Sequence, residues 1–207
     1  MIVFFDTETT GLGKSDEILS IAIVDERGKK LFYKTVKPQF VQSWPEAQKV
    51  HGISPDNVKN KPPLKHYEKQ IEKWLNGKHT IGGYNVNFDI RMLRQSGYNI
   101  GNVQTIDVMD IAKEHFGNKQ KLSEVAHSLG YEFKAHDALN DAAATAYVYR
   151  KLTGQKDGPN IIGYAVLLTA FLCFTAGTYL PVPTWLQSLI FVAGFVCLWR
   201  GYKELKK

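Results

Sequence analysis

Hydrophobic and polar positions over the first three quarters of the chain follow the rhythm of a layered α/β domain. Met1–Asp6 contains an unbroken Ile-Val-Phe-Phe run, which reads as a strand buried on both faces. Glu17–Val24 and Lys30–Val36 predict two more strands, joined by a hairpin turn at Asp25-Glu26-Arg27-Gly28. From Leu64 to Leu75, apolar residues recur every three or four positions (Leu64, Tyr67, Ile71, Trp74, Leu75) between lysines and glutamates, which predicts a helix. A short strand at Thr80–Gly82, a helix over Phe88–Gln95 and a strand at Val103–Ile106 follow. Helices are then predicted over Val108–Phe116, Leu122–Leu129 and the alanine-rich Ala138–Leu152, with Gly154 as a stop. Three strands followed by alternating helices and strands imply an α/β fold: a mixed sheet flanked by helices.

The pattern then changes abruptly. No charged residue occurs between Asp157 and Arg200, a stretch of 42 residues. It contains two apolar runs, 161–180 and 185–199, separated by Pro181-Val182-Pro183-Thr184. A bilayer core takes about 20 apolar residues per helix, and paired prolines favour a turn between helices. The expectation is a C-terminal α-helical transmembrane hairpin within 161–202, its helices at about 161–180 and 184–201. Lys151 and Lys156 precede it and Arg200, Lys203, Lys206 and Lys207 follow it, while the turn is uncharged. Both termini are therefore expected in the cytoplasm. Soluble helices of this length carry charge on an outward face, which weighs against a buried hairpin; a helix pair docked on another protein is the other alternative. The implied organisation is a domain over 1–154, a linker over 155–160, the hairpin, and a basic tail over 203–207.

Composition adds exclusions. The 207 residues are 44% hydrophobic, 12% aromatic and 22% charged, which excludes a disordered or collagen-like chain. Two cysteines, Cys173 and Cys197, both in the apolar runs, exclude a disulfide scaffold and a CxxC zinc site. The net charge of +6 divides evenly, with +3 before residue 158 and +3 after it. The first segment is only mildly basic, so charge alone does not indicate nucleic-acid binding. The mean hydropathy of −0.24 conceals the segregated apolar tail.

Candidate chemistry begins at Asp6-Thr7-Glu8. Residues two apart on a strand share a face, so the strand presents two carboxylates together. Such a pair repels itself unless a cation joins it. Oxygen ligands with no His or Cys cluster favour a hard ion such as Mg²⁺ or Mn²⁺. Asp89, in Tyr84-Asn85-Val86-Asn87-Phe88-Asp89, follows a strand at the start of a helix. His136 precedes Asp141 by five residues in His136-Asp137-Ala138-Leu139-Asn140-Asp141. Each also has a plain structural reading: acids are favoured at helix N-termini, and Asp137 is a natural cap.

Together the three segments closely resemble the DEDDh 3′–5′ exonuclease family, whose motifs read DxE, NxxxD with an aromatic before the acid, and HxAxxD. The resemblance covers about residues 1–153 and excludes the apolar tail. Pro45-Glu46-Ala47…His51-Gly52-Ile53-Ser54 also looks like a segment of the polymerase-associated members. The resemblance implies a ribonuclease H-like five-stranded sheet in the order 3-2-1-4-5 with the second strand antiparallel. It implies that Asp6, Glu8, Asp89 and Asp141 hold two divalent ions, Mg²⁺ or Mn²⁺, and that His136 is the general base of a two-metal hydrolysis. It further implies substrate contacts from Thr9, Gly11, Leu12, His51, Asn85 and Phe88. Asp107 is a possible fifth ligand, although a structural role suits its position after a strand better.

The expected function is a membrane-anchored, metal-dependent 3′–5′ exonuclease. It would convert single-stranded nucleic acid with a free 3′ end, DNA in preference to RNA, to nucleoside 5′-monophosphates. The expected partners are that strand, the lipid bilayer, and a polymerase or repair protein that the sequence does not identify. The alternative is a non-catalytic module that holds nucleic-acid ends or a partner on a nuclease fold.

Overall fold

The computed structural model describes residues 1–98 and 100–155, which belong to a unit spanning Met1–Lys156. Its centre is a five-stranded sheet in the order β3-β2-β1-β4-β5. The strands are β1 (Ile2–Thr9), β2 (Ile18–Asp25), β3 (Lys30–Thr35), β4 (Thr80–Gly83) and β5 (Thr105–Asp107). β2 runs antiparallel to both β1 and β3, whereas β1, β4 and β5 are parallel. This is the order and direction that the sequence resemblance implied.

Burial explains the placement. Val3, Phe4 and Phe5 are fully buried, as is nearly all of β2, so these strands lie inside the sheet and have both faces covered. β3 alternates and occupies an edge. The β2–β3 turn is closed by Asp25, whose carboxylate accepts the N–H groups of Arg27 and Lys29, and by Gly28 at φ 79°.

Alternation along β1 sends its side chains into two different layers. Val3 and Phe5 join Ile21, Ile23, Ile90 and Leu93 in a core closed by α3 (Glu68–Leu75) and α4 (Val86–Gln95). Phe4 joins Ala22, Val24, Ala142 and Ala146 in a second core, closed by α5 (Val108–Phe116), α6 (Leu122–Ser128) and α7 (Ala138–Leu152). Asp6 and Glu8 share the parity of Phe4 and so face α7. Ala138, Ala142 and Ala146, spaced four apart and fully buried, give α7 a small-residue stripe that lets its backbone lie close to the sheet.

Several elements differ from the sequence expectation. Two short helices, α1 (Pro45–His51) and α2 (Pro55–Val58), had no predicted counterpart. α1 buries none of its residues, so it has no apolar periodicity to read. Its half-buried Ala47 packs against a small core of Leu19, Trp44 and Val58, and the Trp44 indole N–H donates to the Ile53 carbonyl at 2.7 Å. The helix expected over 64–75 divides into a 3₁₀ turn, Leu64–Tyr67, and α3. β1 extends past Asp6 to Thr9, α4 begins at Val86 instead of Phe88, and β5 covers Thr105–Asp107 instead of 103–106. No helix among the described residues is long and apolar enough to cross a membrane. The expected spans at 161–180 and 184–201, with the linker and tail, lie outside the described residues.

One glycine is required by packing. A Cβ on Gly82 would lie 2.4 Å from the Phe4 ring, which is fully buried and cannot retreat. Gly82→Ala is therefore expected to destabilise the domain by about 2 kcal/mol through overpacking. A urea titration followed by intrinsic fluorescence measures this; an unchanged midpoint would mean that the β1–β4 contact is looser than described.

Candidate active site

The carboxylates assemble where strand pairing changes along β1. β4 pairs with β1 only from Ile2 to Phe4 and then turns into α4. The rest of β1 on that side therefore lacks a ladder partner. At Thr7, Asp89 takes the partner's place: its Oδ1 accepts the Thr7 N–H at 3.0 Å and the Thr7 hydroxyl at 2.6 Å. Thr7 points into the opposite layer from Asp6 and Glu8 and is buried. It binds Asp89 and thereby sets the depth of α4 against the strand. The sequence reading gave Thr7 no role, because its importance arises only where β4 departs.

The turn into α4 is tightly specified. Asn85 adopts a left-handed conformation, φ 69°, and its N–H donates to Asp107 Oδ1 at 2.9 Å. Asp107 also caps α5 by accepting the Met109 N–H. Asp107 is thus a structural acid fastening the β4–α4 turn to the start of α5, as its position after a strand suggested. Asn85 is exposed and lines neither of the two clefts described below.

Asp141 enters from α7. Asp137 caps that helix, accepting from the N–H groups of Leu139 and Asn140, while its own N–H donates to Asp141 Oδ2 at 2.9 Å. One carboxylate oxygen from each of Asp6, Glu8 and Asp141 lies within 4.8 Å of the others. Asp89 lines the same cleft but stands outside this tight triad because Thr7 holds its Oδ1. The cleft has a volume of about 220 Å³, and Tyr84, Phe88, Leu122 and His136 complete it. His136 is exposed, with its backbone in the left-handed region at φ 63°.

Burial dominates the electrostatics of the cluster. It raises Asp6 well above the ordinary carboxylate range, aided by Asp89, Asp141 and Glu8. Burial first, then Asp141 and Asp137, pushes Glu8 up to about 8. Burial raises Asp89 to about 7 against the lowering effect of its Thr7 hydrogen bonds. Asp141 rises to about 6 for the same first reason, opposed by the Asp137 N–H and by His136. Four carboxylates crowded into one desolvated cleft cannot all be anionic unaided. The donor set is entirely oxygen, with no thiol or imidazole inside the triad, which fits hard divalent cations.

A second, more apolar cleft of about 490 Å³ opens beside the first. Glu8, Thr9, Thr10, Gly11 and Leu12 form one wall, and Glu46, Ala47, Val50 and His51 form the other. The loop after β1 is built to hold this wall. Asp16 accepts from Thr10 Oγ1 and the Gly13 N–H, and a Cβ on Gly11 would come within 2.6 Å of the Asp16 carboxylate. Arg91 on α4 donates to the Leu12 carbonyl and lies 5.1 Å from the Phe88 ring centroid. Leu12 is consequently held 78% exposed at the mouth of the cleft. Thr9 is buried, its hydroxyl donating to the Gly11 carbonyl at 2.7 Å.

His51 joins the two walls. Its Nδ1 accepts the Ile53 N–H at 3.0 Å, so Nε2 carries the proton and donates to the Thr9 carbonyl at 3.1 Å. Burial lowers its pKa, which maintains this neutral tautomer. Of the residues expected at the site, Asp6, Glu8, Asp89, Asp141, His136 and Phe88 meet in the first cleft. Thr9, Gly11, Leu12 and His51 meet in the second, with Glu8 shared. Asn85 stands apart from both.

A family model described as Exonuclease matches residues 3–149. The DNA polymerase III subunit epsilon of Buchnera aphidicola is 30% identical over 172 residues, covering 73% of this chain and 72% of that protein. An uncharacterized exonuclease, CP81, of Escherichia phage 186 is 29% identical over 164 residues, covering 69% and 83%. Among solved structures, Exonuclease X in complex with 5′-overhanging duplex DNA superimposes with a TM-score of 0.60 at 24% identity, over 75% of this chain and 93% of that one. E. coli Exonuclease I in complex with an oligonucleotide gives 0.61 at 22% identity, over 82% and 42%. At such identities these two likenesses establish the fold.

The raised carboxylates have a measurable consequence. Their folded-state pKa values lie above the ordinary range, so without a cation the folded state binds protons more readily than the unfolded chain. The cation-free domain should therefore lose stability as pH rises from about 5 through 8. Mg²⁺ or Mn²⁺ should reverse the loss, with the largest gain at the alkaline end. Thermal melts in EDTA and in excess metal across this range test it; metal-independent melting would exclude a cation site here. Thr7→Val should cost about 2 kcal/mol by leaving the buried Asp89 carboxylate without its hydroxyl partner.

Proposed function

The chain belongs to the exonuclease family whose model it matches over residues 3–149, and from that premise we propose that it hydrolyses single-stranded nucleic acid from the 3′ end, releasing nucleoside 5′-monophosphates. The observation that carries this reading is the convergence of Asp6, Glu8 and Asp141, with Asp89 and His136 beside them, in one cleft. Asp6, Glu8, Asp89 and Asp141 would hold two divalent ions, which when bound supply Lewis-acid activation of water and neutralise charge on the reacting phosphate.

The chain's own groups divide the remaining tasks. His136, exposed at the cleft rim, takes the proton of the attacking water, a general-base role that an imidazole nitrogen can fill. The apolar second cleft accepts the terminal nucleoside, with Leu12 at its mouth as a surface against which a base packs. Phe88, in the carboxylate cleft, offers an aromatic face, braced by Arg91. His51 keeps α1 fastened to the end of β1, so the cleft is formed before substrate arrives. Thr9 and Gly11 set the backbone beneath the terminal sugar, and Asn85 contributes through the turn that starts α4.

DNA is the proposed polymer, on the strength of the relatives named as DNA polymerase III epsilon subunits. A polymerase or repair complex is a corresponding partner class. The charge-free segment between Asp157 and Arg200, with lysines and arginine on both flanks, supports attachment to a bilayer as a two-helix hairpin with the catalytic domain and both termini cytoplasmic.

A 3′-labelled oligonucleotide incubated with the full chain and Mn²⁺ should lose its label as nucleoside 5′-monophosphate, and EDTA should abolish the release. Asp6→Ala should reduce the rate to background, and His136→Ala should lower it by about 10²- to 10⁴-fold. Release by both variants at the unsubstituted rate would overturn this assignment of the site, and no release by the full chain would leave the binding-module reading. Matched DNA and RNA strands decide the polymer. Membrane attachment predicts that the full chain sediments with membranes and needs detergent for release; recovery in the soluble fraction would remove it.

A further inference from the structure

Hydrolysis at the carboxylates divides a bound strand into a released nucleotide and a retained strand, which lie on opposite sides of the scissile phosphate. The apolar cleft for the released nucleoside belongs to the β2 side of β1: Ala47 on α1 packs toward Leu19 on β2, and His51 reaches Thr9. On the other side of β1 stand β4 and β5. There Tyr84, directly after β4, and Leu122, at the start of α6, close the far wall of the carboxylate cleft. Glu8 is the one residue that lines both clefts. A strand whose end sits in the apolar cleft therefore crosses the carboxylates at Glu8 and emerges past Tyr84 and Leu122.

The segment behind this wall, residues 117–121, joins α5 to α6 and carries Lys119 and Lys121. Its backbone is tied along its length. Gly117, at φ 77°, ends α5 with its N–H on the Lys113 carbonyl. The Tyr84 hydroxyl donates to the Gln120 carbonyl at 2.8 Å, so the side chain that lines the cleft also holds the segment. Burial, with Asp107 and Glu124 nearby, pushes Tyr84 up to about 12, so the hydroxyl keeps the proton it donates. Gln120 Nε2 donates to Asn118 Oδ1, and the Lys121 N–H donates to Glu124 Oε2. Both lysine side chains are left over. Lys119 and Lys121 are exposed and form no ion pair among the described residues, either with Glu124 or with the four carboxylates of the cleft. They are therefore not the counter-ions of the acidic cluster.

We infer that residues 117–121 seat the retained strand, with Lys119 and Lys121 on its phosphates and Tyr84 as the positioning residue that fixes the segment beside the cleft. The inference rests on the exonuclease reading given above and concerns the part of the substrate that is not released. Ammonium groups on flexible stems follow a phosphate backbone as point charges and read no base, which suits an enzyme that must shorten any sequence. Tyr84 and Leu122 give the first retained sugar an apolar wall.

The test uses the full chain with Mn²⁺ on two substrates. One is a single-stranded oligonucleotide; the other is the p-nitrophenyl ester of thymidine 5′-monophosphate, which has a nucleotide to release and no retained strand. Lys119→Ala combined with Lys121→Ala should raise KM for the oligonucleotide about tenfold and leave hydrolysis of the ester within about twofold. Each phosphate contact on a single strand contributes about 0.7 to the slope of log affinity against log salt, so the double variant should flatten that slope by about 1.4. Arginine at both positions keeps the charge and should restore the slope. An unchanged KM and salt slope for the oligonucleotide overturn the inference and leave the exonuclease reading intact. So does an equal loss on both substrates, which would mean that the substitutions disturb the carboxylate cleft itself. No hydrolysis of either substrate by the unsubstituted chain overturns the exonuclease reading, and this inference with it.

Discussion

Carboxylates desolvated together at the end of β1 are the constraint around which the rest of the site is arranged. Burial raises the pKa of Asp6, Glu8, Asp89 and Asp141, and each charge makes its neighbours harder to ionise. A fold optimised for stability alone would not collect such groups. Their cost is tolerable because the surrounding backbone is fixed independently, by strands buried on both faces and helices packed on each side.

Two local features bring acids distant in sequence to that point. The early departure of β4 leaves the Thr7 N–H free for Asp89, so a side chain substitutes for a missing ladder partner. The alanine stripe of α7 lets the helix lie close against the sheet, which brings Asp141 beside Asp6 and Glu8. Neither feature is chemical in itself. Larger residues at Ala138 or Ala142 would lift Asp141 away from the cluster without altering any acid.

Specificity for what is bound is set by different elements. The loop after β1 and α1 are held by polar contacts: Asp16 within the loop, Arg91 from α4, and His51 between Thr9 and Ile53. These contacts hold exposed surfaces such as Leu12 in place without burying them, which suits a site that must admit and release a strand. A further cavity lies between Ser20 and Thr35 on the sheet and His51, Asn57 and Lys61.

The sequence by itself determined the period-two placement of Asp6 and Glu8 on one face, the order and spacing of the three acidic segments, and the segregation of charge from residues 158–199. These are legible because strand alternation, helix periodicity and the cost of burying charge act over short stretches of chain. Only the tertiary structure decided that Thr7 anchors Asp89, that Asp107 fastens a turn, that His51 is a neutral pin, and that the Ser20 hydroxyl is buried without a partner. It also supplied α1, whose residues carry no buried stripe. Each of these depends on which distant backbone group lacks a partner or which side chain borders an opening. That is settled when strands pair and helices dock, and no local pattern encodes it.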